Sequence, residues 1–262
     1  IPKNFQEGKF VPDFDAEMDL PGYQPEIELK TEALDEVLPI LLSAKRPAIY
    51  AGGGVVISNA SEQLREFAER TQIPVATTLM GIGAMPEDHP LSVRWLGMHG
   101  AVYANNTVNE ADVVLAIGAR FDDRVTGNLA TYAKQAKVIH MDIDPSEFNK
   151  NVKVDVEVLG NCKLTLKALT ALVAEAKHTE WIESFAEHDA IENKRVIEPE
   201  IHPTEGPLNM GEVVRAVSEE SNHEAILVTD VGQNQIFACK YLPQKHGRLL
   251  TSGGLGTMGY AL

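Results

Sequence analysis

Short, strongly apolar runs alternate with amphipathic stretches through much of the chain. The runs occupy residues 48–51, 74–78, 113–117 and 138–142. Their length, and the glycine or polar residues that follow them, are typical of buried strands. Between the first two runs, Leu64, Phe67 and Ala68 recur at i, i+3 and i+4 within 61–71, which predicts an amphipathic helix. Strands that alternate with helices predict an α/β fold with a doubly wound parallel sheet and right-handed crossovers.

Proline-rich stretches divide the chain into segments. Residues 1–28 are rich in Pro, Asp and Glu without a sustained period, which predicts a linker. Residues 29–176 are predicted to form one Rossmann-like domain that ends in a helix at about 164–176. Prolines crowd residues 186–207, which predicts a break in regular structure and a second linker over 177–207.

The last segment, residues 208–262, is predicted to begin a second α/β domain. Asn209 and Glu212 have the spacing of an N-terminal cap for a helix. Strands are predicted at 225–229 and 249–251, each followed by a polar or glycine-rich loop. Because two strands bury too little surface to be stable alone, we expect the 262 residues to be a piece of a longer protein.

Composition narrows the possible function classes. The formal net charge is -15 and hydrophobic residues make up 44% of the chain. This balance is typical of a globular protein and argues against nucleic acid as a partner, because phosphate binding needs clustered Lys and Arg. No apolar run approaches the roughly 18 residues of a membrane-spanning helix, so no membrane partner is expected. Cys162 and Cys239 lie far apart without metal-ligand spacing, and we expect reduced thiols in the cytoplasm.

A cluster of charged residues follows the apolar run at 113–117. Gly118 opens a loop to Gly127 that contains Arg120, Arg124 and two aspartates. Open α/β sheets bind ligands at the carboxyl ends of their strands, and an arginine fork matches phosphate or carboxylate oxygens. The loop is therefore the main candidate for a binding site. The alternative is a surface turn in which Arg–Asp pairs neutralise one another.

Further loops follow the other predicted strands and would reach the same edge of the sheet. The glycines at 52–54 precede a helix, where backbone N–H groups can approach a phosphate, although a tight turn without a ligand uses the same residues. Thr78 begins another glycine-containing loop. Asp142 ends a strand, where a carboxylate suits ribose hydroxyls or caps the turn before Pro145. His99 lies at a predicted helix start, where a lone histidine is either structural or close to a ligand.

Together these residues resemble the thiamine diphosphate-dependent decarboxylases and carboligases, and within them the acetolactate synthase (acetohydroxyacid synthase) family. The resemblance rests on the loops at 51–54, 78–86, 96–100, 118–127, 142–145, 230–235 and 252–259. The motifs at 96–100 and 118–127 are specific to that branch, whereas the glycine turns are shared more widely. The resemblance implies a transferase of branched-chain amino acid biosynthesis. Such an enzyme decarboxylates pyruvate and joins the two-carbon unit to a second 2-oxo acid, giving acetolactate or acetohydroxybutyrate.

The resemblance also implies cofactor contacts in residues 29–176. This domain is expected to bind FAD as a structural cofactor, because the family's net reaction transfers no electrons. The implied flavin contacts are Gly52, Gly53, Thr78, Leu79, Met98, His99, Gly118, Arg120, Asp123, Asp142, Ile143 and Asn161. Arg124 corresponds to the arginine that meets the carboxylate of the second substrate, and we expect it to be catalytic.

For residues 208–262 the resemblance implies the start of a thiamine diphosphate pocket. The implied residues are Val231, Gly232, Gln233, Asn234, Gly256 and Met258, with Gln233 also expected to be catalytic. Asn234 departs from the family, which usually has His there, and an amide does not titrate near neutral pH. The family's activating glutamate lies in an amino-terminal domain, and its Mg²⁺ ligands lie in a downstream Gly-Asp-Gly segment. We therefore expect this chain to carry no metal ligands and to be inactive alone.

The same resemblance implies partners and leaves alternatives open. It implies a homodimer or homotetramer with a shared active site, and it leaves a regulatory small subunit open. A pyruvate oxidase or a glyoxylate carboligase would share the fold but not the chemistry. A non-catalytic module that binds FAD or another nucleotide is the alternative from a different class.

Overall fold

The computed structural model describes residues 8–9, 11, 13–15, 25, 27–242 and 249–262. Most of the linker predicted at 1–28 lies outside these residues. Within them, eight strands form two sheets. The strands are β1 (Pro47–Ala51), β2 (Val75–Thr77), β3 (Ser92–Trp95), β4 (Val113–Ile117), β5 (Lys137–Asp142), β6 (Val156–Leu159), β7 (Leu227–Thr229) and β8 (Leu249–Thr251).

Helices connect the strands and cover both faces of the larger sheet. The α-helices are α1 (Leu34–Ser43), α2 (Gly53–Ile57), α3 (Ser61–Thr71), α4 (Val102–Glu110), α5 (Asp123–Thr126), α6 (Cys162–Leu172), α7 (Thr179–Glu192), α8 (Glu198–Ile201), α9 (Met210–Glu220) and α10 (Gln233–Tyr241). A π-helical segment, Asn193–Ile197, joins α7 to α8. Among the described residues, no helix has the length and apolar character needed to cross a membrane.

The larger sheet is entirely parallel, with the strand order β3-β2-β1-β4-β5-β6. The chain winds outward from the central strands β1 and β4 in opposite directions, which confirms the predicted doubly wound α/β fold. The edge strands β3 and β6 did not emerge from the sequence pattern. In both, alternate residues are at least partly exposed, so neither strand forms a continuous apolar run.

The central strands are apolar on both faces because helices pack against both sides of the sheet. Ile49, Leu115 and Ile139 lie in register on β1, β4 and β5 and pack in a core shared with α3 and α6. Their neighbours Tyr50 and Ala116 belong to a second core on the opposite face, with α4 and α7. The helix predicted at 61–71 is confirmed as α3.

The segment between the two sheets is helical, so the break predicted from its prolines at 186–207 is wrong over much of its length. The chain stays helical from α7 through the π-helical segment to the end of α8. Pro199 is the second residue of α8, which directly follows the π-helical segment, where the hydrogen-bond pattern of the helix changes. Trp181 Nε1 donates to the Pro47 carbonyl at 3.0 Å, and the Glu192 carboxylate accepts from the Val102 N–H at 2.8 Å. These bonds attach the helix to the larger sheet and α4.

The second sheet pairs β7 and β8 in parallel. The predicted cap of α9 is confirmed, because Asn209 Oδ1 accepts from the Glu212 N–H at 2.9 Å and the Glu212 carboxylate accepts from the Asn209 N–H at 3.0 Å. Arg215 of α9 donates to the Ile201 carbonyl at 2.8 Å, which ties α9 to the end of α8. Cys239 of α10 is buried in a small apolar cluster with residues from the part of the chain that forms the larger sheet. The domain limits at residues 28, 176 and 207 stay predictions.

Candidate cofactor site at the carboxyl edges of the sheets

Every strand of the larger sheet ends at or near a residue predicted to contact flavin. In chain order, the residues at the ends of β1 to β6 are Gly52, Thr78, Met98 with His99, Gly118, Asp142 and Asn161. Because the strands are parallel, these ends lie along one edge of the sheet. The change in winding direction between β1 and β4 falls at the centre of that edge, which is where open α/β sheets bind ligands.

The loops after β1 and β4 interlock through glycines at this centre. Gly52 N–H donates to the Ile117 carbonyl at 2.9 Å, and Gly54 N–H donates to the Gly118 carbonyl at 3.0 Å. A Cβ on Gly52 would overlap the Gly118 carbonyl, and one on Gly118, whose φ is +57°, would lie 2.6 Å from Gly54 Cα. Backbone packing therefore already requires these glycines. A ligand at this edge would lie over the interlocked loops rather than between them.

The loop after β2 is closed by its own residues. Thr78 Oγ1 accepts from the Gly81 N–H at 3.0 Å and so begins a 3₁₀ turn. Gly53 faces this turn, since a Cβ on it would lie 3.1 Å from Met80 Cβ. Leu79 packs against the apolar cluster that includes Cys239. Thr78 and Leu79 thus have structural roles, and a flavin contact by either would be additional.

The two arginines of the loop after β4 pair with neighbouring aspartates. Arg120 contacts Asp122, and Arg124 Nη1 lies 3.8 Å from an Asp123 carboxylate oxygen. Partial burial raises the pKa of Asp122, but hydrogen bonds and both arginines outweigh this effect and hold the pKa below its usual value. The Arg124 side chain is 74% exposed, and an exposed ion pair contributes little in water. The geometry is that of a self-neutralising turn, and it leaves the Arg124 guanidinium accessible to an incoming anion.

The motifs at 96–100 and 118–127 are bonded to each other. Met98 N–H donates to the Arg124 carbonyl oxygen at 2.8 Å. Gly97 has a φ of +118°, and a Cβ on it would lie 3.0 Å from the same carbonyl oxygen. The side chains of Met98 and His99 are exposed beside the arginine-containing loop. The structure thus brings together the two motifs that distinguish the resemblance.

A buried histidine that sequence analysis missed supports the arginine-containing loop. His140 on β5 is fully buried, and its Nε2 lies 2.7 Å from the Ala119 carbonyl oxygen. Burial lowers its pKa to about 4, so the ring is neutral and Nε2–H is the donor. The rings of Phe121 and Phe148 pack edge-on against it, each with a centroid distance of 5.1 Å. Its signal in the sequence is a polar residue within an otherwise apolar run.

Asp142 and Asn161 already accept hydrogen bonds within the chain. Asp142 Oδ1 accepts from the Asp144 N–H at 2.9 Å, and burial raises the pKa of this carboxyl group. Asn161 Oδ1 accepts from the Lys163 N–H at 2.9 Å and caps α6. Both residues therefore have a structural reason to be present. The flavin contacts predicted for Asp142, Ile143 and Asn161 stay predictions.

The second sheet brings the residues predicted for thiamine diphosphate into two adjoining loops. The Asp230 carboxylate accepts from the N–H groups of Gly259 and Tyr260, at 3.0 and 2.9 Å, and joins the loop after β7 to the loop after β8. Beneath these loops, Gln235 Nε2 donates to Thr251 Oγ1 at 2.6 Å. The predicted residues in the two loops and at the start of α10 are Val231, Gly232, Gln233, Asn234, Gly256 and Met258. Of these, Gln233, Asn234 and Met258 have exposed side chains that a ligand could reach.

The side chains at the edge of the larger sheet suit the chemical groups of a dinucleotide. At the larger sheet, the Arg120 guanidinium and the Asp142 carboxylate match the phosphates and ribose hydroxyls of a dinucleotide. Within the part of the chain that the structure describes, no group of three or more His, Cys, Asp or Glu could hold a metal ion. The described residues at this edge therefore fit a flavin dinucleotide.

A protein-family model described as the thiamine pyrophosphate enzyme, central domain, matches residues 34–169. The matched range contains β1 to β6, which is the whole of the larger sheet. The chain belongs to the thiamine pyrophosphate enzyme family.

Relatives of this chain come from plants, archaea and bacteria. It is 43% identical over 269 residues to the probable chloroplastic acetolactate synthase 2 of Oryza sativa subsp. japonica. It is 41% identical over 277 residues to the probable acetolactate synthase large subunit of Methanocaldococcus jannaschii, and 38% identical over 265 residues to an acetolactate synthase of Mycobacterium bovis. The matches cover 100%, 99% and 100% of this chain, respectively. The chain spans 40%, 45% and 43% of those three proteins.

Proposed function

We propose that the longer protein to which this chain corresponds is an acetolactate synthase. The reaction would decarboxylate pyruvate and join the two-carbon unit to a second 2-oxo acid. The observation that carries the proposal is the bond between Met98 N–H and the Arg124 carbonyl, because it joins the two branch-specific motifs at one site. Identities of 38 to 43% to proteins named acetolactate synthase support the same conclusion.

In this proposal, Arg124 binds the carboxylate of the second 2-oxo acid. A guanidinium donates two parallel hydrogen bonds to a carboxylate and stays charged at all physiological pH values. The present partner of Arg124, Asp123, is 79% exposed and lies 3.8 Å away, so exchange of this partner for a substrate carboxylate costs little. The residue would orient the substrate and stabilise its negative charge.

The cofactors of the proposed enzyme are FAD, thiamine diphosphate and Mg²⁺. When bound, thiamine diphosphate supplies the electron sink for decarboxylation. Gln233, Asn234 and Met258 would hold it from the loops at the ends of β7 and β8. FAD would lie along the edge of the larger sheet, with Arg120 toward its phosphates and Asp142 toward a ribose, and would have a structural role.

Oligomerisation and localisation belong to the same proposal. We propose a homodimer or homotetramer whose active site is shared between subunits, with a regulatory small subunit as a further partner. Cytoplasmic localisation fits the two cysteines, which are buried free thiols.

The test uses the complete protein with pyruvate, FAD, thiamine diphosphate and Mg²⁺. We expect acetolactate and CO₂ to form without O₂ uptake. Arg124→Gln should raise the KM for the second 2-oxo acid at least about tenfold, since a charge-assisted bidentate contact is lost. Arg65→Gln is the matched control, because Arg65 is an exposed arginine on α3, paired with Glu69.

Three outcomes would contradict the proposal. O₂ uptake with pyruvate would indicate a pyruvate oxidase, and carboligation of glyoxylate in preference to pyruvate would indicate a glyoxylate carboligase. FAD binding without turnover of any 2-oxo acid would indicate a non-catalytic nucleotide-binding module. The 262-residue chain alone should show no carboligation.

A further inference from the structure

We propose that Asn105 is a positioning residue that holds Arg124 in place for its substrate. The inference rests on the proposed function, because that function gives Arg124 a carboxylate to bind. Asn105 lies on α4 and belongs to neither of the two branch-specific motifs. Its role follows from a chain of hydrogen bonds that runs from α4 to the Arg124 backbone.

The Asn105 side-chain amide forms hydrogen bonds with both polar backbone groups of Gly97. Its Oδ1 accepts from the Gly97 N–H at 2.9 Å, and its Nδ2 donates to the Gly97 carbonyl at 3.0 Å. Nδ2 also donates to the Ala101 carbonyl at 3.1 Å. A side-chain amide has one acceptor and two N–H donors, so this arrangement uses both ends of the group. The side chain thereby fixes the orientation of the loop at 96–100 relative to α4.

The fixed loop in turn holds the carbonyl group of Arg124. Met98, the residue after Gly97, donates its N–H to the Arg124 carbonyl oxygen at 2.8 Å. Gly97 packs against the same oxygen, since a Cβ on it would lie 3.0 Å away. A change in the orientation of the Gly97 backbone would therefore move the donor that Arg124 uses.

The backbone tethers matter because little else orients the Arg124 side chain. The side chain is 74% exposed, and its ion pair with Asp123 spans 3.8 Å. The backbone N–H of Arg124 donates to Asp122 Oδ1 at 2.9 Å, within the same loop. The Arg124 carbonyl is held by Met98, which belongs to a different loop. The second tether is thus the one that connects Arg124 to α4 through Asn105.

Loss of the Asn105 amide should affect substrate binding at Arg124. A displacement of about 1 Å in a positioning group can cost up to about a hundredfold in rate or affinity. We expect Asn105→Leu in the complete enzyme to raise the KM for the second 2-oxo acid about tenfold, with kcat changed less. Asn105→Asp should act in the same direction, because its second carboxylate oxygen would face the Gly97 and Ala101 carbonyls. The Asp variant keeps the acceptor for the Gly97 N–H and provides a second test if the Leu variant does not fold.

Asn109→Leu is the matched control on the same helix. Asn109 Oδ1 accepts from the Ala133 N–H at 3.1 Å, so its side chain also ties a loop to α4, but not the loop at 96–100. We expect Asn109→Leu to leave the KM unchanged and to lower thermal stability by less than Asn105→Leu does, because Asn109 makes one such bond and Asn105 makes three. If the two variants raise the KM equally, the positioning role of Asn105 is overturned and a general structural role remains.

Amide hydrogen exchange on the complete protein, without substrates, provides a readout that needs no enzyme activity. Asn105→Leu should accelerate exchange at the N–H groups of Gly97 and Met98, whereas Asn109→Leu should accelerate exchange at Ala133. Unchanged exchange at Met98 in Asn105→Leu would overturn the inference, whatever the complete enzyme does. Absence of carboligation in the wild-type complete enzyme would instead overturn the proposed function. Faster Met98 exchange with an unchanged KM, in an enzyme that Arg124→Gln impairs, would overturn the positioning role alone.

Discussion

Gly118 and Gly54 touch through their backbones at the centre of the larger sheet. A Cβ on Gly118 would lie 2.6 Å from Gly54 Cα, and the Gly54 N–H donates to the Gly118 carbonyl at 3.0 Å. The loops after β1 and β4 are thereby held as one unit beneath the predicted flavin. Each of these two residues, which are far apart in sequence, therefore requires the other to be glycine.

We expect Gly118→Ala to destabilise the chain severely, by about 4 kcal/mol or more, because the new methyl group meets backbone that cannot move away. Gly127→Ala is the matched control. Its φ of +55° is almost the same as the +57° of Gly118, but no atom lies within 4 Å of its Cβ position. The control should lose about 1–3 kcal/mol, from backbone strain alone. Urea unfolding measures both, and equal losses would show that steric contact is not the cause.

The buried His140 should make the chain less stable in mild acid. Its pKa is about 4 in the folded chain and about 6.5 when unfolded, so the unfolded chain takes up the proton first as the pH falls. Its contribution is complete above about pH 6.5 and is lost progressively toward pH 4. At pH 4.5 the loss should be about 2.5 kcal/mol relative to pH 7.

His140→Gln isolates this effect, because Gln can still donate to the Ala119 carbonyl but does not titrate. Urea unfolding at pH 7 and 4.5 should show a smaller loss in the variant than in the wild type. Burial raises the pKa of Asp142, which works in the opposite direction and is present in both proteins. Identical pH dependence of the two proteins would contradict the assignment of His140 as a neutral buried donor.

Asn161 offers a test that separates a helix cap from a flavin contact. Asn161→Ala should lower the free energy of unfolding by about 1 kcal/mol, since α6 loses its cap. Asn161→Asp keeps the acceptor for the Lys163 N–H and should retain stability. If Asn161 also contacts the flavin, the Asp variant should bind FAD at least about fivefold more weakly, because a carboxylate repels phosphate. Unchanged FAD affinity would leave Asn161 with the cap alone.

FAD should stabilise the 262-residue chain, because the residues that fit it lie along one preformed edge. A ligand that binds the folded state alone adds about 2.7 kcal/mol at one hundred times its Kd. Thermal unfolding and visible absorbance measure this effect, with NAD and ADP as controls. Arg120→Gln should weaken FAD binding about tenfold, because a charged hydrogen-bond donor is lost, whereas Arg65→Gln should not. Equal stabilisation by ADP would point to a general nucleotide site.

The centre of the fold could be predicted from the sequence, but its edges could not. The runs at 113–117 and 138–142 are buried on both faces and so are continuously apolar. β3 and β6 alternate because one face of each is partly exposed, which short segments of sequence do not distinguish from loops. The helix that contains Pro199 escaped prediction because the proline falls where the helix geometry already changes.

The gathering of the candidate loops at one edge could be predicted, since strand ends in a parallel sheet must meet there, whereas the cofactor contacts stay predictions. The interlock of Gly52 with Gly118 and the support from His140 were not predictable, because both depend on contacts between distant residues. Asn105 was missed for the same reason. Its role depends on a bond to Gly97, and an Asn on an ordinary helix gives no local signal of such a bond.

The segment from the start of α7 to the end of α8 is a continuous helix rather than a flexible linker. Its π-helical turn accommodates one more residue than an α-helical turn does, and Arg215 clamps the next helix to its end. A flexible connection would absorb an insertion or a deletion of one residue. Within the helical segment, the same change would rotate the residues between the altered position and the end of α8 by about 100°, because an α-helix has 3.6 residues per turn. The direction in which the Ile201 carbonyl points, and with it the attachment of α9 through Arg215, therefore depends on the exact residue count of this segment.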